Sequence, residues 1–519
     1  MTAKELPEEG WRRSCRRKDG EGAAEVMMER YVLGIDQSTQ GTKALLFNGH
    51  GELVCRTDLP HRQIINEKGW VEHDPEEIWA NTLQVVRDLV EKAGIDRAQL
   101  AALGISNQRE TAVVWDKQTG KPVYNAIVWQ CARAVDITDE IEQQGLAETV
   151  RGKTGLQLSP YFSAAKFAWI FRHTEGVREA AAAGKIAVGT VDSWLVWNLT
   201  HGARHQTDYS NAARTQLFNI HTLDWDEELL SLFGIDRSCM AQVTDSDGDF
   251  GSTDFDGYLD APIPICGVLG DSNGALFGQG CHAPGMTKTT YGTGSSIMMN
   301  IGTEPVLSDR GVVTSIAWSR GGRTEYVMEG NINYSAAVVT WLKDDMKLID
   351  SPAETEACAR AAHPGDTTYL VPAFSGLGAP YWDSKATAVL CGMTRMTGRN
   401  EVIRAALDCI AYQIAAVVKA MEESAGVTIG ELRADGGPTR NAYLMQFQSD
   451  LLGIPVRVPN AEELSGIGAA YMAGLSAGIY TDEVFGVLHS TAHEPSMPED
   501  VRQQKYRGWE DAVRLVLGK

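Results

Sequence analysis

The nine cysteines include no Cys-x-x-Cys pair and follow no regular spacing, so neither a disulfide framework nor a zinc ribbon is expected. They read as small core residues of a chain kept in a reducing cytoplasm, and no zinc site is expected among the histidines. Basic residues are scarce: 47 stand against 68 acidic ones, for a net charge of -21. That balance argues against nucleic acid and anionic membranes as partners and favours solubility. Long apolar runs are missing too. The most apolar stretch, Gly466 to Tyr480, is too short and too rich in glycine and alanine to span a bilayer, and reads as a helix packed closely on a neighbour. Residues 1–30 contain Arg12-Arg13 and Arg16-Arg17-Lys18 but no apolar segment after them, which excludes a signal peptide. A disordered extension is expected there, with Met27 or Met28 as the natural start of the folded chain.

At 519 residues the chain exceeds what one core usually supports, so two domains are expected. Strands are predicted at Tyr31–Ile35 and Lys43–Phe47, forming a hairpin, then at Glu52–Arg56, Leu100–Ile105 and Thr287–Tyr291. Asp74 should cap a helix that has Pro75 in its first turn and Glu77 reaching back to the cap. Trp79, Leu83, Val86 and Val90 recur at helical spacing on its inner face. Three segments carry the chemistry: Gly34-Ile35-Asp36-Gln37-Ser38-Thr39-Gln40-Gly41-Thr42-Lys43, Gly270-Asp271-Ser272-Asn273-Gly274, and Asp435-Gly436-Gly437-Pro438-Thr439-Arg440-Asn441. Each follows an apolar run, and a glycine turn at a strand end offers backbone N–H groups to an anion. A carboxylate at the head of each turn suits a bridging Mg²⁺ or the removal of a proton from an attacking group. A lone Asp-Gly-Gly is usually a tight turn; three such segments in order are a nucleotide site.

The order Asp-x-x-Thr, Gly-Asp, Gly-Thr-Gly, Asp-Gly-Gly resembles the sugar-kinase, actin and chaperone ATPase superfamily. Within it the chain resembles the FGGY carbohydrate kinases, nearest to their glycerol kinases. Gly69-Trp70-Val71-Glu72-His73-Asp74-Pro75, Ser106-Asn107-Gln108-Arg109-Glu110-Thr111, Trp129-Gln130-Cys131 and Gly376-Leu377-Gly378-Ala379-Pro380-Tyr381-Trp382-Asp383 carry that likeness. It runs from Tyr31 nearly to the C-terminus and implies an α/β chain of two ribonuclease-H-like domains, 31–278 and 279–519, flanking an ATP-binding cleft. The activity implied is phosphorylation of a terminal hydroxyl of a small polyol by ATP with Mg²⁺, glycerol first. A homodimer or a homotetramer is left open. A chaperone-like or actin-like ATPase would share the phosphate turns but has no use for the Arg109-Glu110 and Trp129 loops.

The resemblance also assigns roles. Asp271 takes the place of the catalytic base and Asp36 that of the Mg²⁺ aspartate, acting through water. Thr39, Gln40, Thr42 and Lys43 line the phosphates, with Lys43 where arginine is usual. Arg109, Glu110, Trp129 and Tyr161 contact the acceptor. Thr293, Ala336, Thr340, Gly437 and Asn441 lie on the nucleotide side. Two departures fall in the acceptor pocket: Ser272 replaces a glutamine and Ser296 a phenylalanine. Both remove volume, so a larger polyol or ketose (a tetritol, pentitol or ketopentose) is the alternative acceptor.

Overall fold

In the computed structural model, which describes residues 29–518, two mixed β-sheets share one strand order. The first contains β1 (Tyr31–Gln37), β2 (Gly41–Phe47), β3 (Leu53–Pro60), β4 (Leu100–Asn107) and β5 (Ile263–Gly270), arranged β3-β2-β1-β4-β5. Strands β1 to β3 are antiparallel, while β1, β4 and β5 run parallel. The second contains β6 (Thr287–Tyr291), β7 (Ser295–Gly302), β8 (Val313–Arg320), β9 (Arg323–Ile332), β10 (Leu432–Asp435), β11 (Val456–Pro459) and β12 (Ser490–His493). Its inner strands, β9-β7-β6-β10-β11, repeat the same pattern of an antiparallel trio followed by two parallel neighbours. This duplication is the two-domain α/β architecture the sequence implied. Residues 1–28 of the expected extension lie outside the described residues.

Central strands bury both faces and read as continuous apolar runs; Tyr31-Val32-Leu33-Gly34-Ile35 of β1 is one, buried throughout. The strand continues to Gln37, so Asp36 is a strand residue and the turn proper is Ser38-Thr39-Gln40. Helix α1 (Pro75–Ala93) is capped by Asp74, which accepts the Glu76 N–H at 2.9 Å. The expected capping box does not form, because the Glu77 carboxylate accepts the Arg62 N–H instead, at 3.2 Å. Its buried stripe centres on Ile78, Val85, Val86 and Leu89, with Trp79 and Leu83 on the flank. The other helices that frame the site are α2 (Ser163–His173), α3 (Asp271–Gly278), α4 (Ala336–Asp344), α5 (Arg399–Ala425), α6 (Ala442–Leu452) and α7 (Leu464–Ser476).

Helix α7 is the glycine- and alanine-rich segment, and it packs on the first sheet rather than the second, against β1, β4, β5 and α3. A Cβ on Gly104 of β4 would sit 2.1 Å from the Ala469 carbonyl oxygen, and one on Gly468 would sit 1.8 Å from that of Gly274 in α3. Only glycine lets these backbones meet. No helix among the described residues is long and apolar enough to cross a membrane.

Candidate active site

The repeated strand order places the same hairpin turn of each sheet on one cleft. Thr39 of the β1–β2 turn and Gly292, Thr293 and Gly294 of the β6–β7 turn line a cavity of about 520 Å³ with Arg109, Glu110, Trp129, Tyr161, Asp271, Ser272 and Ser296. A Cβ on Gly294 would lie 2.2 Å from the Ile332 carbonyl oxygen, so this turn is fixed by close backbone approach. The Thr293 carbonyl accepts the N–H groups of Ser335 and Ala337, tying the turn to the start of α4.

Asp36 lies in register with Ser106 on β4 and directly opposite Lys43 on β2. Its carboxylate accepts the Ser106 hydroxyl at 3.0 Å and lies 3.8 Å from Lys43 Nζ. Burial dominates, and with the negative charges of Asp271 and Glu463 it pushes the Asp36 pKa up to about 6 against the pull of Lys43 and Ser106. Lys43 donates to Glu463 Oε2 at 2.6 Å, and Arg56 holds the other carboxylate oxygen. Burial would lower the Lys43 pKa, but Asp36 and Glu463 outweigh it and raise it. Glu463 precedes α7, so this ion cluster ties the second half of the chain to β1, β2 and β3 of the first sheet. Gln40 is exposed, and the Thr42 hydroxyl is buried without a protein partner.

Arg109 and Glu110 follow β4 in a tight turn closed by the Thr111 N–H on the Arg109 carbonyl at 2.7 Å. Glu110 has φ 60°, left-handed for a residue with a Cβ, which costs on the order of 1–3 kcal/mol and occurs at functional sites. Neither charge is free. Glu329 of β9 takes Arg109 in a two-point fork, at 2.8 Å from Nη1 and 3.0 Å from Nη2. Arg214 donates to Glu110 Oε1 at 2.5 Å and lies 3.3 Å from Glu329. Burial opposes the charge on Glu329, but Arg109 and Arg214 outweigh it and hold its carboxyl well below the usual carboxylate range. For Glu110 burial wins over Arg214 and Arg109, and the pKa is raised. The sequence did not single out Arg214 or Glu329. A lone carboxylate inside the apolar strand run Tyr326-Val327-Met328-Glu329-Gly330 was the available signal, because a buried charge requires a partner.

Trp129 and Tyr161 form the aromatic wall, with ring centroids 5.4 Å apart. Burial raises the Tyr161 hydroxyl pKa, so it stays a neutral donor. The loop beneath Tyr161 is held by buried Lys166 of α2, which donates to the carbonyls of Pro160 at 2.7 Å and Phe162 at 3.2 Å, and to that of Tyr161. Desolvation lowers the Lys166 pKa to about 7.

Asp271 opens α3, but Gly270 occupies the cap position and no side chain caps the helix. The Asp271 carboxylate therefore faces the cleft, accepting the Ser272 N–H at 2.6 Å and lying 3.4 Å from Arg109 Nε. A Cβ on Gly270 would meet the Arg109 stem at 2.6 Å, so glycine there seats the arginine. Ser296 Oγ is buried without a protein partner. Ala336 and Thr340 lie on α4, where the Ala336 N–H reaches the Gly292 carbonyl and Thr340 is exposed. Gly437 is exposed with open space around it. Asn441 caps α6 by accepting the Leu444 N–H at 3.0 Å and donates to Thr355 Oγ1. Asp36, Gln40, Thr42, Lys43, Ala336, Thr340, Gly437 and Asn441 stand outside the cavity wall itself.

The histidine spacings His201/His205 and His489/His493 exist, but among the described residues no three His, Cys, Asp or Glu side chains group around a metal position. Asp36 and Asp271 are two carboxylates within Coulombic reach of each other. Two carboxylates fit a hard divalent ion that takes its other ligands from phosphate and water.

Comparison with known proteins agrees with this geometry. The N-terminal domain of the FGGY family of carbohydrate kinases matches residues 31–278 and its C-terminal domain residues 287–477. The chain is 48% identical over 490 residues to glycerol kinase 1 of Thermotoga maritima, covering 94% of this chain and 99% of that one. It is 47% identical over 495 residues to the glycerol kinase of Symbiobacterium thermophilum, covering 95% and 99%. Among solved structures, Plasmodium falciparum glycerol kinase with ADP superposes with a TM-score of 0.89 at 34% identity, covering 94% of this chain and 98% of that one. A ligand-bound xylulose kinase from Lactobacillus acidophilus (TM-score 0.84, 20% identity, covering 94% and 98%) shares the fold.

Proposed function

Because the chain belongs to the FGGY family of carbohydrate kinases, we propose that it transfers the terminal phosphoryl group of ATP to a terminal hydroxyl of glycerol, giving glycerol 3-phosphate. One observation carries this reading: the Asp271 carboxylate, uncommitted to a helix cap, shares a cavity with two phosphate-type turns and with Arg109 and Glu110. Asp271 accepts the proton of the attacking hydroxyl as the bond to phosphorus forms. Arg109 and Glu110 bind the other hydroxyls, and Trp129 and Tyr161 cover the carbon chain. The turns at Thr39 and Thr293 surround the phosphates, while Lys43 and Thr42 stand behind the first; Gly437 and Asn441 border the adenosine. Mg²⁺, held by Asp36 through water, would neutralise phosphate charge. The functional split at 278/279 and a cytoplasmic location belong to the same proposal, the latter supported by free cysteines throughout the described chain. An assay of ADP release with glycerol as the acceptor tests it: turnover that needs glycerol supports the kinase, and ATP turnover indifferent to any polyol rejects it.

A larger polyol or ketose is the second reading. Ser296 Oγ has no protein partner, and Ser272 lines the same cavity. A hydroxyl-bearing carbon beyond the third would occupy that end.

A further inference from the structure

Arg109 is a residue of the first half of the chain, yet its guanidinium is oriented by the second. Both Nη atoms are committed to Glu329 of β9, and Asn331 on the same strand donates to Glu329 Oε1 at 3.1 Å. The fork leaves Nε on the Asp271 side, 3.4 Å from Oδ1. Arg214, itself fully buried, closes the set by pairing with Glu110 and Glu329 together. The result is two guanidinium groups against two carboxylates, all four side chains nearly inaccessible, with the carboxylates contributed from opposite sides of the cleft. A charge placed alone in such surroundings is costly, and removing one partner strands the others. A guanidinium gripped by both Nη atoms has no freedom to swing about its stem.

We propose that Glu329 is a positioning residue for the acceptor, acting through Arg109, and that the acceptor site is therefore completed only when the second sheet sits against the first. Arg214 pairs with Glu329 and Glu110 together and, with Arg109, holds the Glu329 carboxyl in its charged form. The inference rests on the reading of Arg109 and Asp271 as acceptor-side residues. It makes glycerol affinity a measure of how the two halves meet, with no direct contact between Glu329 and the acceptor.

The test compares wild type, Glu329→Gln, Arg109→Ala and the double variant, with kcat and KM for glycerol and for ATP measured on each. Glu329→Gln keeps the shape but cannot form a charged fork. It should lower kcat/KM for glycerol by on the order of 10–100-fold, the cost of a misplaced binding group, with the KM for ATP moving less than about twofold. The double variant should be no worse than Arg109→Ala, because a residue acting through another has nothing left to position. Multiplied losses in the double variant, or a Glu329→Gln enzyme like wild type, would overturn the proposal. Should Glu329→Gln fail to fold, Asn331→Ala removes one hydrogen bond while leaving all charges paired, and must show a smaller loss of the same kind, again absent in the Arg109→Ala background. If wild type itself ignores glycerol, the proposed activity fails instead, and the two failures are distinguishable.

Discussion

Trp129 donates its indole N–H to the hydroxyl of Thr39 at 2.9 Å. One residue belongs to the wall of the proposed acceptor pocket, the other to the β1–β2 turn proposed to hold phosphate. The two binding regions are thus joined by one hydrogen bond between residues ninety positions apart. Replacing Trp129 with Phe keeps an aromatic face but removes the donor. A net hydrogen bond is worth about 0.5–1.5 kcal/mol, so KM values for both glycerol and ATP should rise roughly two- to tenfold together. A rise for glycerol alone would show that the bond does not connect the two regions.

Asp271→Asn should abolish phosphoryl transfer while nucleotide binding persists. The amide is nearly isosteric but cannot take the proton, and loss of a general base costs about 10²–10⁴-fold. The melting temperature should barely move, because the amide oxygen of asparagine can still accept the Ser272 N–H that the carboxylate holds at 2.6 Å. Rapid-quench turnover alongside titration with ADP checks both parts. Undiminished turnover at saturating glycerol would remove Asp271 from its role.

Asp36 sets a trade between stability and function. Its pKa is about 6 in the folded chain, against 3.8 as the ordinary value. A raised folded pKa means the native state holds the proton longer than the unfolded state, so stability falls as pH rises through this window. Asp36→Asn removes the titration. Its stability relative to wild type should therefore grow by up to about 3 kcal/mol between roughly pH 4 and pH 6.5, then level off. Activity with Mg²⁺ and ATP should fall. Urea unfolding of both proteins across that range gives the answer, and a pH-independent difference would contradict the assigned shift.

Gly468→Ala should couple packing to catalysis. The new methyl would press on the Gly274 carbonyl, three residues beyond Asp271, at a starting distance of 1.8 Å. Overpacking of this kind costs about 1–3 kcal/mol, and any shift of α3 carries Asp271 with it. Both kcat and the melting temperature should drop. Gly430→Ala, which meets nothing within 4 Å, is the control and should change neither.

The double change Ser272→Gln with Ser296→Phe decides the acceptor. If the serines make room for a longer substrate, wild type should show higher kcat/KM on some tetritol, pentitol or ketopentose than on glycerol, and the double variant should reverse that order. Filling the pocket is worth about 1–3 kcal/mol, enough to exchange substrates of similar efficiency. Wild-type preference for glycerol by a wide margin, unchanged in the variant, would leave glycerol as the sole acceptor class.

What the sequence made legible was local. The strands before Ser38, Asp271 and Gly436 could be read from apolar runs ending in glycine turns, and Arg109-Glu110 from its neighbours. The buried charge network could not, because its hydrogen-bonded pairs join residues 104 to 220 positions apart and no spacing rule links them. Glu77 shows the same limit on a smaller scale. Its spacing from Asp74 fits a capping box, but the Arg62 N–H from another segment competes for the carboxylate and wins. The inner stripe of α1 was offset for a related reason: β2 and β3, against which it packs, select the Ile78–Val85–Leu89 face over the Trp79–Leu83 one.

Helix α7 lies late in the chain but covers the first sheet. The cleft therefore does not divide the polypeptide into two self-sufficient pieces. A fragment ending near residue 278 would leave Gly34, Gly104 and Gly267 bare on a sheet face shaped for a helix it does not possess. Anyone wishing to build a two-fragment reporter from this enzyme should graft residues 464–476 onto the first fragment, or supply them in trans as a complementing peptide. The same threading means that changes in the second half transmitted along the chain to α7 arrive directly beneath β1, which bears Asp36, and α3, which Asp271 opens.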